Sequence, residues 1–589
     1  MNKKSKILFS LLSIFLFFGF AYGANAATYY WVGGTTNSNT SNTANWNTVA
    51  GVCADSGNVT ALLAGDTINF VSNCLNDAMI DTASIANLKM NVGYTGTVTV
   101  DNRALSVGVG GLSNGALTVD GGNLNIINGG TVIVNSSGGA ASSQDVFIGN
   151  LAGSNGIITV DGAGSQLSTV TKRISTGISG TGKLVISNGG VVTQASVNTS
   201  AIANSVGSIG EIDISGTGSK FSTGGNIYVG SSGAGTMTLS DGAEVILGSR
   251  IAMGVSGGST GTLNIGAGNT TSGIITFTSL VDLFGGSGTG VINVNHNESN
   301  YVLSYPITGT LAINQIGAGI STLSGTNTYA GVTTVSDGTL QAGSTSAFGV
   351  SNLTVEDGST LNVGTTGLLL GAGTYTQNNG STLALTVNDS SVYGSITSSS
   401  DAVVAIDSIV NVTVNNPIED NTALKIIDGA GGVNVFVPNT ITDNYSDFSF
   451  NGSTDSGDLI ITVAYPRPTI SGSRPKPKIV VFTPEVNPSI TEIICSTGQK
   501  YNTQNGQLCT TFTSNPTPNT PTTCLITLTL RQGNTGEQVK CLQTKLNITS
   551  DGIFGPITKA TVINFQKSHN LVPDGIVGPK TRGAIGEKK

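Results

Sequence analysis

The chain has 589 residues, of which 82 are glycine, 38% are hydrophobic and only 10% are charged. Because the glycines follow no three-residue period and apolar residues are plentiful, the composition excludes a collagen and a highly charged, disordered chain. The formal net charge is −8, and the basic side chains of residues 524–589 are too dilute for a nucleic-acid patch, so nucleic acid is not expected as a partner.

Residues 1–26 have the pattern of a signal peptide. Three of the first six residues are lysines, residues 7–20 are largely apolar, and Ala24-Asn25-Ala26 offers a cleavage site between small residues. An uncleaved membrane anchor is the alternative, but about 14 apolar residues fall short of the ~20 that a spanning helix needs. We therefore predict a secreted protein of the cell envelope or cell surface, with no stable membrane span after cleavage.

The six cysteines fall into three local couples, which are Cys53 with Cys74, Cys495 with Cys509, and Cys524 with Cys541. Secretion favours disulfides, and we expect pairing within each couple, although six cysteines allow 15 pairings. Zinc is the rival explanation, but the chain has no Cys-x-x-Cys motif and only two histidines, His296 and His569. We therefore expect no metal and no cofactor.

Residues 27–95 are predicted to form an N-terminal cap region. This segment holds both tryptophans of the chain, Trp31 and Trp46. A stack of β-coils needs a cover for the exposed edge of its first coil, which is the structural interpretation of the segment. Carbohydrate stacked on a tryptophan is the functional alternative.

Residues 96–465 contain an imperfect repeat. Its leading apolar residues are Leu117, Ile158, Leu184, Ile212, Met237 and Leu263. The last five are spaced by 26, 28, 25 and 26 residues, and each is preceded by a second marker that ends in glycine, at 148–149, 176–177, 206–207, 229–230 and 253–254. Apolar residues alternate with Thr, Asn, Asp or Ser within most units, which indicates strands with one buried face. A helix-free unit of this length predicts a mainly β solenoid, with one coil of a β-helix per repeat.

Residues 317–343, GAGISTLSGTNTYAGVTTVSDGTLQAG, closely resemble the autotransporter-associated β-strand repeat of passenger domains. The segment departs from that pattern at Ile320-Ser321, where the family usually has Thr-Leu. The resemblance implies a right-handed parallel β-helix displayed outside the cell. The 124 residues after Tyr465 do not alternate as the strands of a membrane barrel would. We therefore expect that this chain does not carry its own exporter, and export by a partner chain is an open alternative.

Residues 466–523 have the composition of a stiff linker, because nine of the 15 prolines lie there. Within this Pro-rich linker, residues 495–509 are expected to form a small loop closed by a disulfide. The linker separates the predicted β-helix from a C-terminal segment of different character.

Residues 524–589 are predicted to form a small all-α domain of three helices. Asp551-Gly-Ile-Phe-Gly-Pro and Asp574-Gly-Ile-Val-Gly-Pro repeat one turn pattern, and Pro556 and Pro579 suit the first turn of a helix. Together with the preceding Glu-Gln-Val-Lys-Cys-Leu-Gln stretch, this pattern strongly resembles the peptidoglycan-binding domain of the three-helix type, which implies peptidoglycan as a partner. The candidate binding residues are Gln543, Asp551, Phe554, Gln566 and Asp574. For the two aspartates the alternative is a role in setting turns, and for the two glutamines it is bonding to the backbone.

The sequence favours a surface protein over an enzyme. Two histidines in different predicted domains do not make a zinc hydrolase site, and no catalytic residue is assigned. We expect an adhesin-like or surface-display β-helical stalk, held non-covalently to peptidoglycan, whose other partners are host or neighbouring-cell glycans or proteins. The alternative is a polysaccharide-degrading β-helix glycosidase or lyase targeted by the same domain, which needs a groove with facing carboxylates.

Overall fold

The structure is a computed structural model that describes residues 27–32, 39–50, 62–74, 76–108, 116–135, 144–170, 173–268, 270–279, 281–429, 434–444, 449–455, 458–465, 526, 529–532, 534, 536–548, 550, 552–569 and 571–585. The chain divides into two compact units, Met1–Arg467 and Pro468–Lys589, and each is described by itself. The predicted signal peptide and the predicted Pro-rich linker with its 495–509 loop lie outside the described residues.

The described part of the first unit holds 47 strands and one short 3-10 helix, Thr43–Asn45. The first fifteen strands are β1 Thr28–Trp31, β2 Trp46–Asn47, β3 Thr67–Phe70, β4 Ala78–Met79, β5 Ser84–Ile85, β6 Asn87–Met90, β7 Thr97–Asp101, β8 Ala104–Val107, β9 Leu117–Val119, β10 Gly121–Ile127, β11 Thr131–Val134, β12 Gln144–Ile148, β13 Asn155–Asp161, β14 Gln166–Thr169 and β15 Arg173–Thr176. The next sixteen are β16 Thr181–Ser187, β17 Val191–Gln194, β18 Ser200–Ile202, β19 Ile209–Ser215, β20 Lys220–Thr223, β21 Ile227–Val229, β22 Ala234–Ser240, β23 Glu244–Leu247, β24 Ile251–Met253, β25 Thr260–Ile265, β26 Ile274–Phe277, β27 Leu283–Gly285, β28 Thr289–Val294, β29 Tyr301–Leu303, β30 Ile307–Gly309 and β31 Ala312–Gln315. The last sixteen are β32 Ile320–Leu323, β33 Thr333–Val335, β34 Thr339–Ala342, β35 Leu353–Val355, β36 Thr360–Gly364, β37 Gly367–Leu369, β38 Tyr375–Gln377, β39 Thr382–Val387, β40 Ser395–Ser398, β41 Ala402–Val404, β42 Ile409–Val414, β43 Ala423–Gly429, β44 Asn434–Val435, β45 Thr440–Asp443, β46 Ser449–Asp455 and β47 Asp458–Ala464.

These strands stack into five sheets. Sheet A has 12 strands in the order β2-β1-β3-β6-β9-β12-β15-β18-β21-β24-β27-β30, and sheet B has 15 in the order β4-β7-β10-β13-β16-β19-β22-β25-β28-β31-β33-β35-β38-β41-β44. Sheet C runs β26-β23-β20-β17-β14-β11-β8-β5, sheet D runs β29-β32-β34-β36-β39-β42-β45, and sheet E runs β37-β40-β43-β47-β46. Between these named strands every pair is parallel except β1 with β2, β43 with β47 and β46 with β47. The three antiparallel pairs lie at the two ends of the stack. This arrangement confirms the predicted mainly β, parallel β-helix solenoid.

The register of sheet B reproduces most of the repeat found in the sequence. Ile158 pairs with Leu184, Leu184 with Ile212, Ile212 with Met237, and Met237 with Leu263, so these leading apolar residues form one inward column. All five are at most 2% exposed, and their hydrophobic side chains line the core of consecutive coils.

Leu117 does not belong to that column. It lies in β9 of sheet A, opposite Val146, whereas Leu124 of β10 pairs with Ile158. The similarity of Leu117 to the later markers is misleading because sheets A and B both bury alternate apolar residues, so the two patterns look alike in sequence.

The glycine marker is also displaced in one coil. Ile202, and not Val206, occupies the place between Thr176 and Val229 in sheet A. The residue after Ile202 is Ala203, which has φ 57° where the neighbouring coils have Gly177 and Gly230 at φ 61° and 69°. An alanine therefore holds a left-handed position that glycine takes elsewhere, and Val206 is 89% exposed in the loop that follows.

The N-terminal end of the stack is covered by aromatic side chains. Trp31 and Trp46 are both 0% exposed, and their rings meet edge to face with centroids 5.1 Å apart. Phe70 and Tyr94 extend this cluster into the first coils. Each indole N–H donates to a backbone carbonyl, Trp31 to Asn76 at 3.0 Å and Trp46 to Thr40 at 2.7 Å. The tryptophans therefore close the core, and the alternative of carbohydrate stacking on them is wrong, because no ring face reaches solvent.

The second unit contains three helices, α1 Glu537–Lys545, α2 Pro556–Ser568 and α3 Pro579–Ile585. Its own core consists of Ile526, Leu530, Val539, Cys541, Leu542, Phe554, Val562 and Val577, with Leu546 and Ile585 packed against it. The predicted three-helix segment and its helix starts at the two prolines are confirmed. Across the described residues, no helix is both long enough and apolar enough to cross a lipid bilayer.

Candidate functional site

The C-terminal unit is built around two turns of the same design, which lie 23 residues apart. In the first turn, the backbone N–H of Gly552 donates to Gln543 Oε1 at 2.8 Å. Gln543 Nε2 in turn donates to the carbonyl of Ile553 at 2.8 Å and to the hydroxyl of Thr558 at 3.0 Å. One buried amide thus ties helix α1 to the Gly-Ile turn and to the first turn of helix α2.

The second turn repeats these contacts. Gly575 N–H donates to Gln566 Oε1 at 2.9 Å, and Gln566 Nε2 donates to the Ile576 carbonyl at 2.9 Å and to the Thr581 hydroxyl at 3.1 Å. Gly552 and Gly575 have φ of 77° and 74°, a left-handed conformation that glycine adopts without steric cost. The doubled Asp-Gly-Ile motif therefore encodes two equivalent helix-to-helix turns.

The two glutamines lie inside the fold, each 1% exposed. Both Nε2 hydrogens of each amide are engaged, so neither side chain has a donor to offer a ligand without breaking the turn. Of the two alternatives drawn from the sequence, the structure shows bonding to the backbone. The sequence did not single out Thr558 and Thr581, whose hydroxyls accept hydrogen bonds from the two glutamine side chains. Both copies of the motif have a threonine two residues after the proline, and this shared position could have identified them.

Phe554 and Asp574 have different environments. Phe554 is 0% exposed and packs in the core, and its equivalent in the second turn is Val577, also 0% exposed. Asp574 is exposed, and its Oδ1 accepts from Gln566 Nε2 at 2.7 Å and from the backbone N–H of Ile576 at 2.9 Å. Among the predicted site residues that the structure describes, only Asp574 both holds a turn and faces solvent. Asp551 lies outside the described residues.

The surface of this unit is basic. Among its described residues the cationic side chains are Arg531, Lys540, Lys545, Lys559, Lys567, Lys580 and Arg582, whereas the described acidic ones are Glu537 and Asp574. One of the lysines, Lys540, bonds to Glu537 at 2.7 Å. The remaining positive charge suits a polymer that carries carboxylates, because opposite charges steer a ligand to a surface at moderate salt.

Several carboxylates among the described residues of the β-helix form ion pairs between coils. Lys183 binds both Glu211 and Asp213, and Lys220 binds Glu244 at 2.8 Å. The Lys220 ammonium holds the pKa of Glu244 below its usual range. Each of these three carboxylates is paired with a lysine of a neighbouring coil, so its oxygens take part in an ion pair between coils.

Like Asp66, Asp120 is a buried carboxylate of the first unit. It is 3% exposed, and burial raises its pKa, while the N–H groups of Asn150 and Leu151 that bond its Oδ1 lower it. It lines an open cleft of about 290 Å³ together with Gly93, Tyr94, Gly121 and Asn155. Within the described residues no second carboxylate lines this cleft, and no group of three or more His, Cys, Asp or Glu side chains could hold a metal ion.

The two histidines of the chain lie in different units. His296 is 0% exposed, accepts the Glu298 backbone N–H at Nδ1 (3.1 Å), and lies 2.9 Å from the Ser321 hydroxyl through Nε2. Burial lowers its pKa. His569 stacks on Phe565 with ring centroids 4.0 Å apart. Each histidine thus has a local structural role.

Two of the six cysteines are described, Cys74 and Cys541, and both are disulfide-bonded. The predicted partners Cys53 and Cys524 lie outside the described residues, as do both members of the Cys495–Cys509 couple. All three pairings therefore stay predictions.

Comparison with known proteins finds similarity to one domain family and to two other proteins. Residues 535–585 match the peptidoglycan binding domain family. The chain is 32% identical over 225 residues to the uncharacterized lipoprotein YdeK of Escherichia coli strain K12, an alignment that covers 36% of this chain and 16% of that protein. It is also 32% identical over 281 residues to the adhesin BmaC autotransporter of Brucella suis biovar 1 strain 1330, which covers 46% of this chain and 8% of that protein. The chain thus spans less than a fifth of either relative. It combines a β-helix similar to part of an autotransporter adhesin with a C-terminal peptidoglycan-binding domain.

Proposed function

We propose that this chain is a secreted, adhesin-like surface protein whose β-helix is a stalk and whose C-terminal domain holds it non-covalently to peptidoglycan. In this proposal residues 1–26 direct secretion, 27–95 cap the stalk, 96–465 form it, 466–523 link it to the anchor, and 524–589 bind the cell wall. The partners on the stalk side are glycans or proteins of a host or neighbouring cell. The match of residues 535–585 to peptidoglycan-binding domains is the observation that carries the proposal.

The stalk part is supported by the regularity of the solenoid. Its strands pair in parallel through consecutive coils, and its outward side chains bond from coil to coil instead of converging on a reactive group. Asn293 donates to Asn264 at 2.9 Å, and Asn314 donates to Asn293 at 3.0 Å. Ladders of this kind stabilise a long scaffold, and the similarity to an adhesin autotransporter points in the same direction.

The anchor is tested with the full-length mature protein and purified peptidoglycan sacculi. We expect the wild type to sediment with sacculi and Phe554→Asp to stay in the supernatant, because a buried charge disrupts the core of the C-terminal domain. The matched control is Phe436→Asp, since Phe436 is 52% exposed on the solenoid. Sedimentation of Phe554→Asp at the wild-type level would contradict anchoring through this domain.

The same samples test the enzymatic alternative. Soluble muropeptides are measured in the supernatant after prolonged incubation of sacculi with the wild type. We expect none above the level of a sample without protein. Release of muropeptides that depends on the protein would replace the adhesin proposal with a wall-degrading enzyme.

A further inference from the structure

One outward column of sheet A has an unusual composition. Each sheet A strand alternates inward and outward side chains, so that one central residue per coil faces away from the core. In register order these central residues are Phe147, Ser175, Ala201, Tyr228, Ala252, Phe284 and Thr308. Three aromatic rings therefore alternate with small side chains along the axis of the solenoid.

The small residues of this column are covered although they face outward. Ser175, Ala201 and Ala252 are 1%, 3% and 1% exposed, while the aromatic residues Tyr228 and Phe284 are half-buried. This column, the aromatic strip, therefore exposes rings between residues that have almost no accessible surface. At ~4.8 Å per strand, Tyr228 is about 10 Å from Phe284 and about 14 Å from Phe147 along the axis.

A row of polar groups runs beside the strip. Arg250 places its guanidinium 4.7 Å from the centroid of the Phe284 ring and its Nε 3.0 Å from Asp282. The Thr308 hydroxyl donates to the other oxygen of Asp282 at 2.6 Å. Asn226 accepts the backbone N–H of Arg250 at 3.2 Å. These bonds hold the row rigid, and the Arg250 side chain is 41% exposed, so a guanidinium edge faces solvent next to the aromatic strip.

We propose that this strip binds a neutral, linear, 1,4-linked pyranose chain, with Tyr228 as its central stacking platform. The proposal rests on the proposed function and names the ligand class of the stalk. The C–H faces of pyranose rings pack on aromatic faces, and the polar row offers hydrogen bonds to ring hydroxyls. A ligand that reaches from Phe147 past Tyr228 to Phe284 is extended along the solenoid axis, because these residues follow one another in the register of sheet A.

Charge and backbone pairing favour this ligand over others. Arg250 is neutralised by Asp282, and the chain as a whole carries a net charge of −8, so an anionic polymer gains nothing at this surface. A peptide that bound by adding a strand would need an unpaired sheet edge, whereas the strands of this strip are paired on both sides. A neutral glycan needs neither a net charge nor a free edge.

The test measures binding of cellohexaose and of the 1,4-linked N-acetylglucosamine hexamer to the full-length mature protein by isothermal titration calorimetry. We expect the wild type to bind at least one hexamer, Tyr228→Ala to lose tenfold or more in affinity, and Tyr228→Phe to stay within about twofold, since stacking needs only the ring. Phe147→Ala is the second variant and is expected to weaken binding as well. Thermal melting followed by circular dichroism checks that each variant is folded.

Two controls separate this proposal from the wall anchor. Phe436→Ala removes an exposed phenylalanine from another part of the solenoid and must leave hexamer affinity unchanged. Phe554→Asp, which is expected to abolish sedimentation with sacculi, must also leave it unchanged. Absence of binding to both hexamers, equal loss in Phe436→Ala, or loss in Phe554→Asp would overturn the proposal. If sedimentation fails while hexamer binding depends on Tyr228, the anchor is wrong and the glycan strip stands.

Discussion

Gln566 donates a hydrogen bond from Nε2 to the carboxylate of Asp574 at 2.7 Å, and the same carboxylate oxygen accepts the backbone N–H of Ile576 at 2.9 Å. Helix α2 is thus tied to the turn that leads into helix α3 through one aspartate and one buried amide. The Gly-Ile contacts that Gln543 and Gln566 share explain why this dipeptide follows each glutamine at the same distance.

Replacing either glutamine is expected to destabilise the C-terminal unit. Gln543→Leu and Gln566→Leu each leave a buried backbone N–H and a carbonyl without a partner, which costs about 1–3 kcal/mol per site. Lys567→Ala changes an exposed residue of helix α2, next to Gln566. The unfolding free energy of this control is expected to stay within about 0.5 kcal/mol of the wild type. Native-state hydrogen exchange at the amides of Gly552 and Gly575 measures the effect, and unchanged protection in the leucine variants would disprove the turn role.

We expect that Asp574 supports sedimentation with sacculi by stabilising the C-terminal unit, and not by contacting the ligand. Asp574→Ala removes two hydrogen bonds and should lower the unfolding free energy of the unit by about 1–2 kcal/mol, whereas Asp574→Asn keeps an acceptor and should lose less. Sedimentation with sacculi should fall only as far as the unit unfolds. If Asp574→Ala remains fully folded and yet loses sedimentation, the aspartate is a direct glycan contact.

Ala203 and Gly230 occupy equivalent corners with positive φ after strands of sheet A, and we expect these two positions to respond to substitution in opposite ways. A Cβ on Gly230 would lie 1.9 Å from the Thr260 carbonyl oxygen, so Gly230→Ala forces a backbone shift and should cost more than about 2 kcal/mol. Ala203→Gly removes a strained left-handed alanine, a gain of about 1–2 kcal/mol, and adds flexibility to the unfolded chain at a cost of about 0.5–1 kcal/mol. The net change is expected to be neutral or slightly stabilising.

Urea unfolding of the two variants, followed by far-ultraviolet circular dichroism, measures both changes. The reverse order, with Ala203→Gly the more damaging, would show that the corner geometry is not set by the backbone conformation.

The solenoid is expected to lose stability at mildly acidic pH through His296. Burial holds the pKa of the folded imidazole below its ordinary value of 6.5, so below pH 6.5 the unfolded chain binds a proton that the folded chain excludes. The stabilisation from the neutral ring is therefore present above pH 6.5 and is lost as pH falls. His296→Gln keeps a donor toward Ser321 and cannot titrate. Between pH 7.5 and 5 its unfolding free energy should fall less than that of the wild type, and parallel pH profiles would refute this assignment.

Much of the fold follows from particular residues of the sequence. The spacing from Ile158 to Leu263 predicts the register of sheet B, because coils that share one hydrophobic column must repeat at the coil length. The repeat fails at Leu117 because inward columns of different sheets share the same alternation, and at Val206 because Ala203 holds a corner that glycine marks elsewhere. Both errors concern neighbours in space that a linear pattern does not reveal.

The sequence by itself determined the class of each part: strands from the period-2 alternation, three helices from proline starts and apolar spacing, and, from the doubled Asp-Gly-Ile motif, a resemblance to peptidoglycan-binding domains. Only the tertiary structure decided the roles of individual side chains. Gln543 and Gln566 are buried turn anchors, Trp31 and Trp46 close a core, and Tyr228 faces outward between two alanines. Burial and hydrogen-bond partners depend on which coils and helices meet in space. Residues of one type therefore serve structure at one position and can face a ligand at another.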